Sequence, residues 1–265
     1  MSEEVEMALL EGKRAVITGA GSGIGEATAV AMAAHGAKVL VSDIDEAAAA
    51  SVATKLRAKG ADAFSIRTDV TNELDCKRMI EAVKTQWGGI DILYNNAGIM
   101  PMSTVPDMSE DLWDKVIDIS LKGTFLCCKF AIPAMEAQGS GVIINASSGA
   151  ALVGNSALAA YGAAKAGIIT LTKCMAVDHS PNGVRVNCIC PGAIDTEMNQ
   201  SWIREAEDPA QARSDLNASH LMKRMGERSE VAELVCFLAS DLCSYMTGSA
   251  IVFDGGLTVM GSRLA

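Results

Sequence analysis

The segment that most constrains the fold is an apolar run, Ala15-Val16-Ile17, leading without a break into TGAGSGIG, Thr18 to Gly25. Glycines stand at 19, 21, 23 and 25. A strand-to-helix turn needs such residues when its backbone must take positive φ and lie close to another group with no side chain between them. A helix starting near Ile24 directs its free N–H groups and the positive end of its dipole at that group, so the turn suits an anion such as a pyrophosphate. The spacing departs from strict G-x-G-x-x-G, because position 24 is isoleucine; it reads T-G-x-x-x-G-x-G. Asp43 ends the next apolar run, eighteen residues after Gly25. A carboxylate there accepts bonds from adenosine ribose hydroxyls and repels a 2′-phosphate. No arginine or lysine is expected beside it and Ser22 in the turn is neutral, which favours NAD over NADP.

The rest of the chain alternates short apolar runs with longer helical patterns. Candidate strands are Ala15–Thr18, Lys38–Ser42, Ala63–Arg67, Ile90–Tyr94, Val142–Ala146, Arg185–Ile189 and Ala250–Phe253. Most are nearly continuous in apolar character, as in strands covered on both faces. Candidate helices are Ile24–His35, Glu46–Lys59, Glu73–Trp87, Ser109–Gln138, Tyr161–Ser180 and Ser229–Leu238. Gly36 and Gly60 stand where C-caps belong, and Ser109 before Glu110 and Asp111 suits a helix start. This alternation implies right-handed crossovers and an α/β fold: a Rossmann-type, doubly wound, parallel seven-stranded sheet with helices on both faces. With no Ser- or Pro-rich linker, residues 1–265 read as a single domain. The stretch from Thr196 onward is long and irregular, and it mixes Met198, Trp202, Leu216, Leu221 and Met222 with charge. Residues 196–222 are expected to form a substrate lid.

Composition narrows the partners. Apolar residues make up 49% of the 265, enough for a sizeable core. A formal charge of -10 argues against nucleic acid, which needs a basic face. No apolar run reaches the ~20 residues of a membrane helix. The start MSEEVEMALLEGKR lacks the basic and apolar regions of a signal peptide, so a cytoplasmic location is expected. The eight cysteines and three histidines show no zinc spacing, so no metal is expected and the thiols read as reduced and mostly buried.

Several polar groups fall at the carboxyl ends of the expected strands, where open α/β sheets bind ligands. They are Asp69-Val70, Asn95-Asn96-Ala97-Gly98 and Pro191-Gly192. The second half adds Ser148 and, thirteen residues on, Tyr161 and Lys165 in YGAAK. Oxidising a secondary alcohol requires an O–H proton to leave as hydride leaves carbon, and a base for that step works best with a pKa near ambient pH. A tyrosine begins at ~10; an ammonium one helical turn away favours its phenolate. A dinucleotide site followed by an acid/base group points to hydride transfer.

In combination these residues resemble the short-chain dehydrogenase/reductase family, from Arg14 to Gly256. The resemblance is carried by TGAGSGIG, Asp69-Val70, NNAG (95–98), Ser148, YGAAK (161–165), and CPGAIDTEM (190–198) after RVN (185–187). It implies an NAD(P)-dependent oxidoreductase, usually a homotetramer. It places Asp69 near the adenine, Asn96 near the adenosine ribose, and Ile194 and Thr196 at the nicotinamide carboxamide. Gly19, Ser22, Gly23, Ile24, Gly25, Val70, Ala97, Gly98, Pro191 and Gly192 complete the implied cofactor set. Ser148 would orient the substrate oxygen, Tyr161 would act as base, and Lys165 would grip the nicotinamide ribose. One position departs from the family: Ser120 stands where an asparagine usually helps hold a water in a proton relay to the lysine.

Ile99, Met100, Met102, Ala150, Leu152, Ala193 and the lid are expected to line the substrate end. They are largely apolar, so the expected substrate is an uncharged, fairly lipophilic secondary alcohol or ketone, cyclic or aryl-substituted. Three alternatives stand beside this reading. A 3-oxoacyl-carrier-protein-type reductase would want a basic docking patch, and a sugar-nucleotide epimerase would want a longer chain. A non-catalytic NAD-binding regulator would be told apart by any turnover. Apolar residues on helices 109–138 and 161–180, among them Phe125, Phe130, Ile168 and Leu171, are expected to be buried between subunits.

Overall fold

The computed structural model describes residues 8–259. Residues 1–7 of the acidic start and residues 260–265 lie outside the described residues, so the outer ends of the expected 1–265 domain do as well. Seven strands form one parallel sheet in the order β3-β2-β1-β4-β5-β6-β7. They are β1 (Arg14–Thr18), β2 (Lys38–Asp43), β3 (Ala63–Arg67), β4 (Ile92–Asn95), β5 (Gly141–Ala146), β6 (Val184–Pro191) and β7 (Ala250–Phe253). The order reverses between β1 and β4. That reversal opens a crevice beyond the strand ends, the place where such sheets take ligands.

Helices cover both faces because the central strands are apolar on both. Helices α1 (Gly23–Ala34), α2 (Glu46–Ala58) and α9 (Arg228–Ala239) pack on one face around Ile17, Val41, Met32, Val52 and Val235. Helices α3 (Glu73–Trp87), α5 (Gly123–Gln138) and α6 (Ala159–His179) close the other around Leu40, Leu93, Met79, Met135 and Val186. Local signals fix several boundaries. The Asn72 carboxamide oxygen accepts from the N–H groups of Leu74 and Asp75, and Gly88 in the left-handed region ends α3. Arg14 donates to both carboxylate oxygens of Asp91 at 2.7 Å, joining the start of β1 to the segment before β4.

The single helix expected over 109–138 is two helices. Helix α4 (Glu110–Ile117) caps on Ser109, and a π-helical turn at Asp118–Lys122 then passes into α5. The irregular stretch 196–222, expected as a lid, is also more ordered than its pattern suggested. It contains α7 (Glu197–Glu205) and α8 (Pro209–Ala218), the second capped by the Asp208 side chain with Pro209 at its first position. Among the described residues, no helix is long and apolar enough to cross a membrane.

Beneath the crevice, β4, β5 and α6 are tied by a buried polar chain. Asn95 Nδ2 donates 2.8 Å to Asn145 Oδ1, and Asn145 Nδ2 donates 2.9 Å to Thr172 Oγ1. Two turns nearer the start of α6, Ser147 Oγ donates 2.8 Å to the Lys165 carbonyl. These bonds set α6 at a fixed height and rotation against the sheet, which places the side chains of its first two turns at the strand ends.

Candidate active site

The first turn, from Thr18 to Gly25, is compact because two of its glycines sit against other backbone. A Cβ on Gly25 would come within 2.1 Å of the Gly19 carbonyl oxygen, and one on Gly19 within 2.9 Å of Ala97 Cα. Gly19 also has φ +62°, a conformation costly for any side chain. Asn96 locks the contact: its Nδ2 donates 3.1 Å to the Thr18 carbonyl and 3.0 Å to the Gly19 carbonyl. The Gly21 N–H donates 2.8 Å to Asp43 Oδ2, so the carboxylate that ends β2 also braces the turn.

A cavity of about 1050 Å³ runs from this turn along the strand ends. At one end it is bounded by Gly19, Ser22, Gly23, Ile24 and Asp43, with Asp69 and Val70 beyond β3. Asn96, Ala97 and Gly98, after β4, and Pro191, Gly192, Ile194 and Thr196, at and after the end of β6, line it as well. Ser148, Tyr161 and Lys165 line the same cavity. Gly25 is packed beneath the turn and not on the cavity. Gly192 makes room for the protein itself, since a Cβ there would meet His220 Nε2 at 2.8 Å and Asp254 Cα at 2.9 Å.

Tyr161 and Lys165 face one way because they are one turn apart on α6. Lys165 Nζ lies 5.5 Å from the centre of the Tyr161 ring and donates 2.7 Å to the Ala146 carbonyl at the end of β5. Burial pushes the Lys165 ammonium down to about 8. Burial pushes the Tyr161 phenol up, and the neighbouring Ser148 hydroxyl draws it part of the way back. The protein alone therefore disfavours charge on both groups.

Ser120 lies in the π-helical turn. It is fully buried, and its hydroxyl has no partner among the described residues. Its carbonyl accepts from Thr124 Oγ1 at 2.8 Å. A Cβ on Gly98 would sit 3.4 Å from Lys165 Nζ and 3.5 Å from Ser120 Oγ, so the serine hydroxyl and the lysine ammonium flank the same point.

Of the expected substrate-end residues, Ile99, Met100, Met102, Ala150 and Ala193 line the cavity. Leu152 does not; it is 44% exposed. From the lid, Met198, Trp202 and Leu216 reach the cavity, whereas Leu221 and Met222 are exposed away from it.

Three residues on or beside the site had no sequence signal. Tyr94 on β4 is fully buried at the cavity wall; its hydroxyl has no partner among the described residues, and burial raises its pKa so that it stays protonated. His220 is buried among the lid residues lining the cavity. Arg67 corrects the expectation that no cation sits beside Asp43: it is the β3 register partner of Asp43, although its guanidinium lies 3.7 Å from Asp75. Only the pairing of β2 with β3 brings the two together.

Comparison with known proteins agrees with this geometry. A family profile described as Enoyl-(Acyl carrier protein) reductase matches residues 19–258. A cis-4-hydroxycyclohexanecarboxylate dehydrogenase from Sinomonas cyclohexanicum is 40% identical over 247 residues, covering 93% of this chain and 96% of that protein. A 3-oxoacyl-[acyl-carrier-protein] reductase from Thermotoga maritima is 38% identical over 250 residues, covering 94% and 99%. The crystal structure of gox2181 superposes with a TM-score of 0.91 at 36% identity, covering 96% of this chain and 99% of that one. The chain belongs to the short-chain dehydrogenase/reductase family and is an oxidoreductase of that family.

The direction of the Ser148 effect can be read without turnover. Tyr161 is isolated as the difference between phenolate absorbance titrations of the intact site and of the same site carrying Tyr161→Phe. In Ser148→Ala that component should move to higher pH, because the hydroxyl that lowers it is gone. An unmoved or lowered midpoint would contradict the assignment.

Proposed function

We propose that this chain is an NAD-dependent dehydrogenase/reductase acting on a secondary alcohol or ketone. The observation that carries the reading is that Ser148, Tyr161 and Lys165 sit on the wall of the same cavity whose far end is the glycine turn and Asp43. The residues present fit the cofactor. The turn and the start of α1 offer N–H groups to a pyrophosphate, the strand-end carboxylate offers acceptors to a ribose, and about 1050 Å³ leaves room for substrate as well. When bound, the nicotinamide supplies the hydride acceptor.

The chain's own groups then have distinct tasks. Ser148 orients the substrate hydroxyl. Tyr161 takes its proton, and the positive charge of an oxidised nicotinamide offsets the burial that holds the phenol high. Lys165 binds the nicotinamide ribose hydroxyls. Ser120 acts as a shortened substitute for the family's asparagine, its hydroxyl serving a water next to Lys165.

The substrate end favours an uncharged molecule. Its walls are Ile99, Met100, Met102, Trp202 and Leu216. The cationic side chains lining the whole cavity are Lys115 and Lys165, against Asp111, Asp114, Glu197 and Asp215 among the acids. A cyclic secondary alcohol agrees with the name of the Sinomonas relative, and a carboxylate on the ring would have Lys115 as its cation outside the Tyr161–Lys165 pair, set among those acids. The acidic balance likewise disfavours the acyl-carrier-protein reading that the Thermotoga relative's name suggests.

NAD is proposed over NADP because a 2′-phosphate would meet Asp43, with Arg67 turned towards Asp75. kcat/KM measured for both cofactors across a panel of cyclic and aryl secondary alcohols should favour NAD; equal values or NADP preference would refute the assignment.

For the acid/base step, Tyr161→Phe should lower kcat by ~10²-fold or more. Ser120→Ala should cost less than ~10-fold. Equal losses in the two variants would make the serine essential in its own right.

A homotetramer is also proposed, on narrower grounds than the sequence suggested. Ile168 is buried within the chain, so it is not free for an interface, whereas Phe125 and Val177 are 47% and 76% exposed on α5 and α6. Light scattering should return a tetramer's mass; a stable monomer at micromolar concentration would contradict this.

A further inference from the structure

The excursion between β6 and α9 is fastened back to the end of β6 by His220. The side chain is 2% exposed, and both ring nitrogens are engaged. Nδ1 lies 2.8 Å from the Leu216 carbonyl oxygen, one turn earlier. The Ala193 backbone N–H donates 3.1 Å to Nε2. A carbonyl only accepts and an amide N–H only donates, so these partners set Nδ1 as the donor and Nε2 as the acceptor.

The surroundings are shaped to the ring. Its Nε2 lies where a side chain on Gly192 would project, and Cδ2 would be 3.6 Å from a Cβ on Gly255. Ala193 is held on its other side too, because its carbonyl accepts from the Gly226 N–H at 2.9 Å. The Asp195 N–H donates 2.8 Å to the Gly226 carbonyl, continuing the tie. Leu216 and Ser219, which line the cavity from the lid, therefore sit on the same hydrogen-bonded unit as the Pro191–Ile194 loop.

We propose that His220 is a positioning residue that makes the seating of the lid and the shape of the Pro191–Ile194 loop a single event. The proposal rests on the dehydrogenase reading in one respect, that this loop is the nicotinamide side of the cavity. Ligand against the loop then steadies the lid through Ala193, and a lid seated over substrate steadies the loop. The acceptor at Nε2 is the part of the ring that does this. A residue that merely filled the space would leave the Ala193 N–H buried without a partner.

Trypsin reads the coupling directly, since Arg204, Arg213, Lys223 and Arg224 are all exposed in or beside the lid. In the full-length wild-type protein, cleavage at these sites should be slow, and NADH should slow it further. His220→Phe keeps the ring volume and removes the acceptor. Its lid should be cut about tenfold faster, the scale expected when a buried donor loses its partner, and NADH should no longer protect it. His220→Gln, whose amide oxygen can accept from Ala193, should recover both properties. Wild-type cleavage and intact NADH protection in His220→Phe would overturn the proposal. So would faster cleavage spread over the whole chain, or a glutamine variant no better than phenylalanine. A wild-type protein that leaves NADH fluorescence unchanged would instead refute the dehydrogenase reading, and the lid cleavage rates of the variants would still decide the role of His220.

Discussion

The site depends on one close approach of backbone to backbone. Where the sheet order reverses, the Thr18–Gly25 turn folds over the end of β4, with Gly19 against Ala97 and Gly25 against the Gly19 carbonyl. Asn96 holds this contact through two donated bonds to the turn. No side chain fits at either glycine without parting β1 from the β4 loop. The contact aims the N-terminus of α1 into the crevice, brings Asp43 to the outer side of the turn, and leaves Gly98 facing Ser120 and Lys165. The glycine-turn end and the Tyr161–Lys165 end of the crevice are thus positioned from one joint.

The Tyr161–Lys165 end is set by a second constraint, the buried polar bonds that hold α6 to β5. Ser147 takes the Lys165 carbonyl, Lys165 Nζ takes the Ala146 carbonyl, and the Asn95–Asn145–Thr172 chain fixes the helix two turns further down. The result is a rigid but electrically unfavourable place for charge. Burial lowers the lysine and raises the tyrosine. A site of this kind waits for charge from outside the protein, and an oxidised nicotinamide carries the sign that favours a phenolate.

Much of this was legible in the sequence, for identifiable reasons. Parallel strands covered on both faces must be apolar along their length, so all seven stand out; the bounds of β3 and β7 agree with the expected ones to the residue. The bounds of α3 agree as well, because its Asn72 cap and Gly88 stop are local chemistry. The glycine turn was legible because few other jobs demand that spacing. The break in helix 109–138 was not. A π-helical turn is a shift in hydrogen bonding that leaves no mark when neighbouring residues are ordinary helix formers. Helices α7 and α8 were hidden by their polarity, although Asp208-Pro209 is a local start signal for α8. Arg67 and His220 could not be read at all: one acquires meaning from a strand pairing, the other from Ala193, far away in sequence. The same limit applies to Gly192, whose missing side chain serves a histidine and not a ligand.

The central claim is that the close-packed glycine turn is a dinucleotide cradle, joined to the acid/base wall by the β4 loop. Titrating NADH into the full-length protein and into Gly25→Val, by dihydronicotinamide fluorescence with circular dichroism as a check on folding, tests it most directly. The account predicts saturable binding to the wild type, with energy transfer to the bound cofactor. It predicts at least a hundredfold weaker binding, about 2.7 kcal/mol, in a Gly25→Val variant that keeps its helix and strand content. A folded Gly25→Val protein that binds NADH as tightly as the wild type would contradict it.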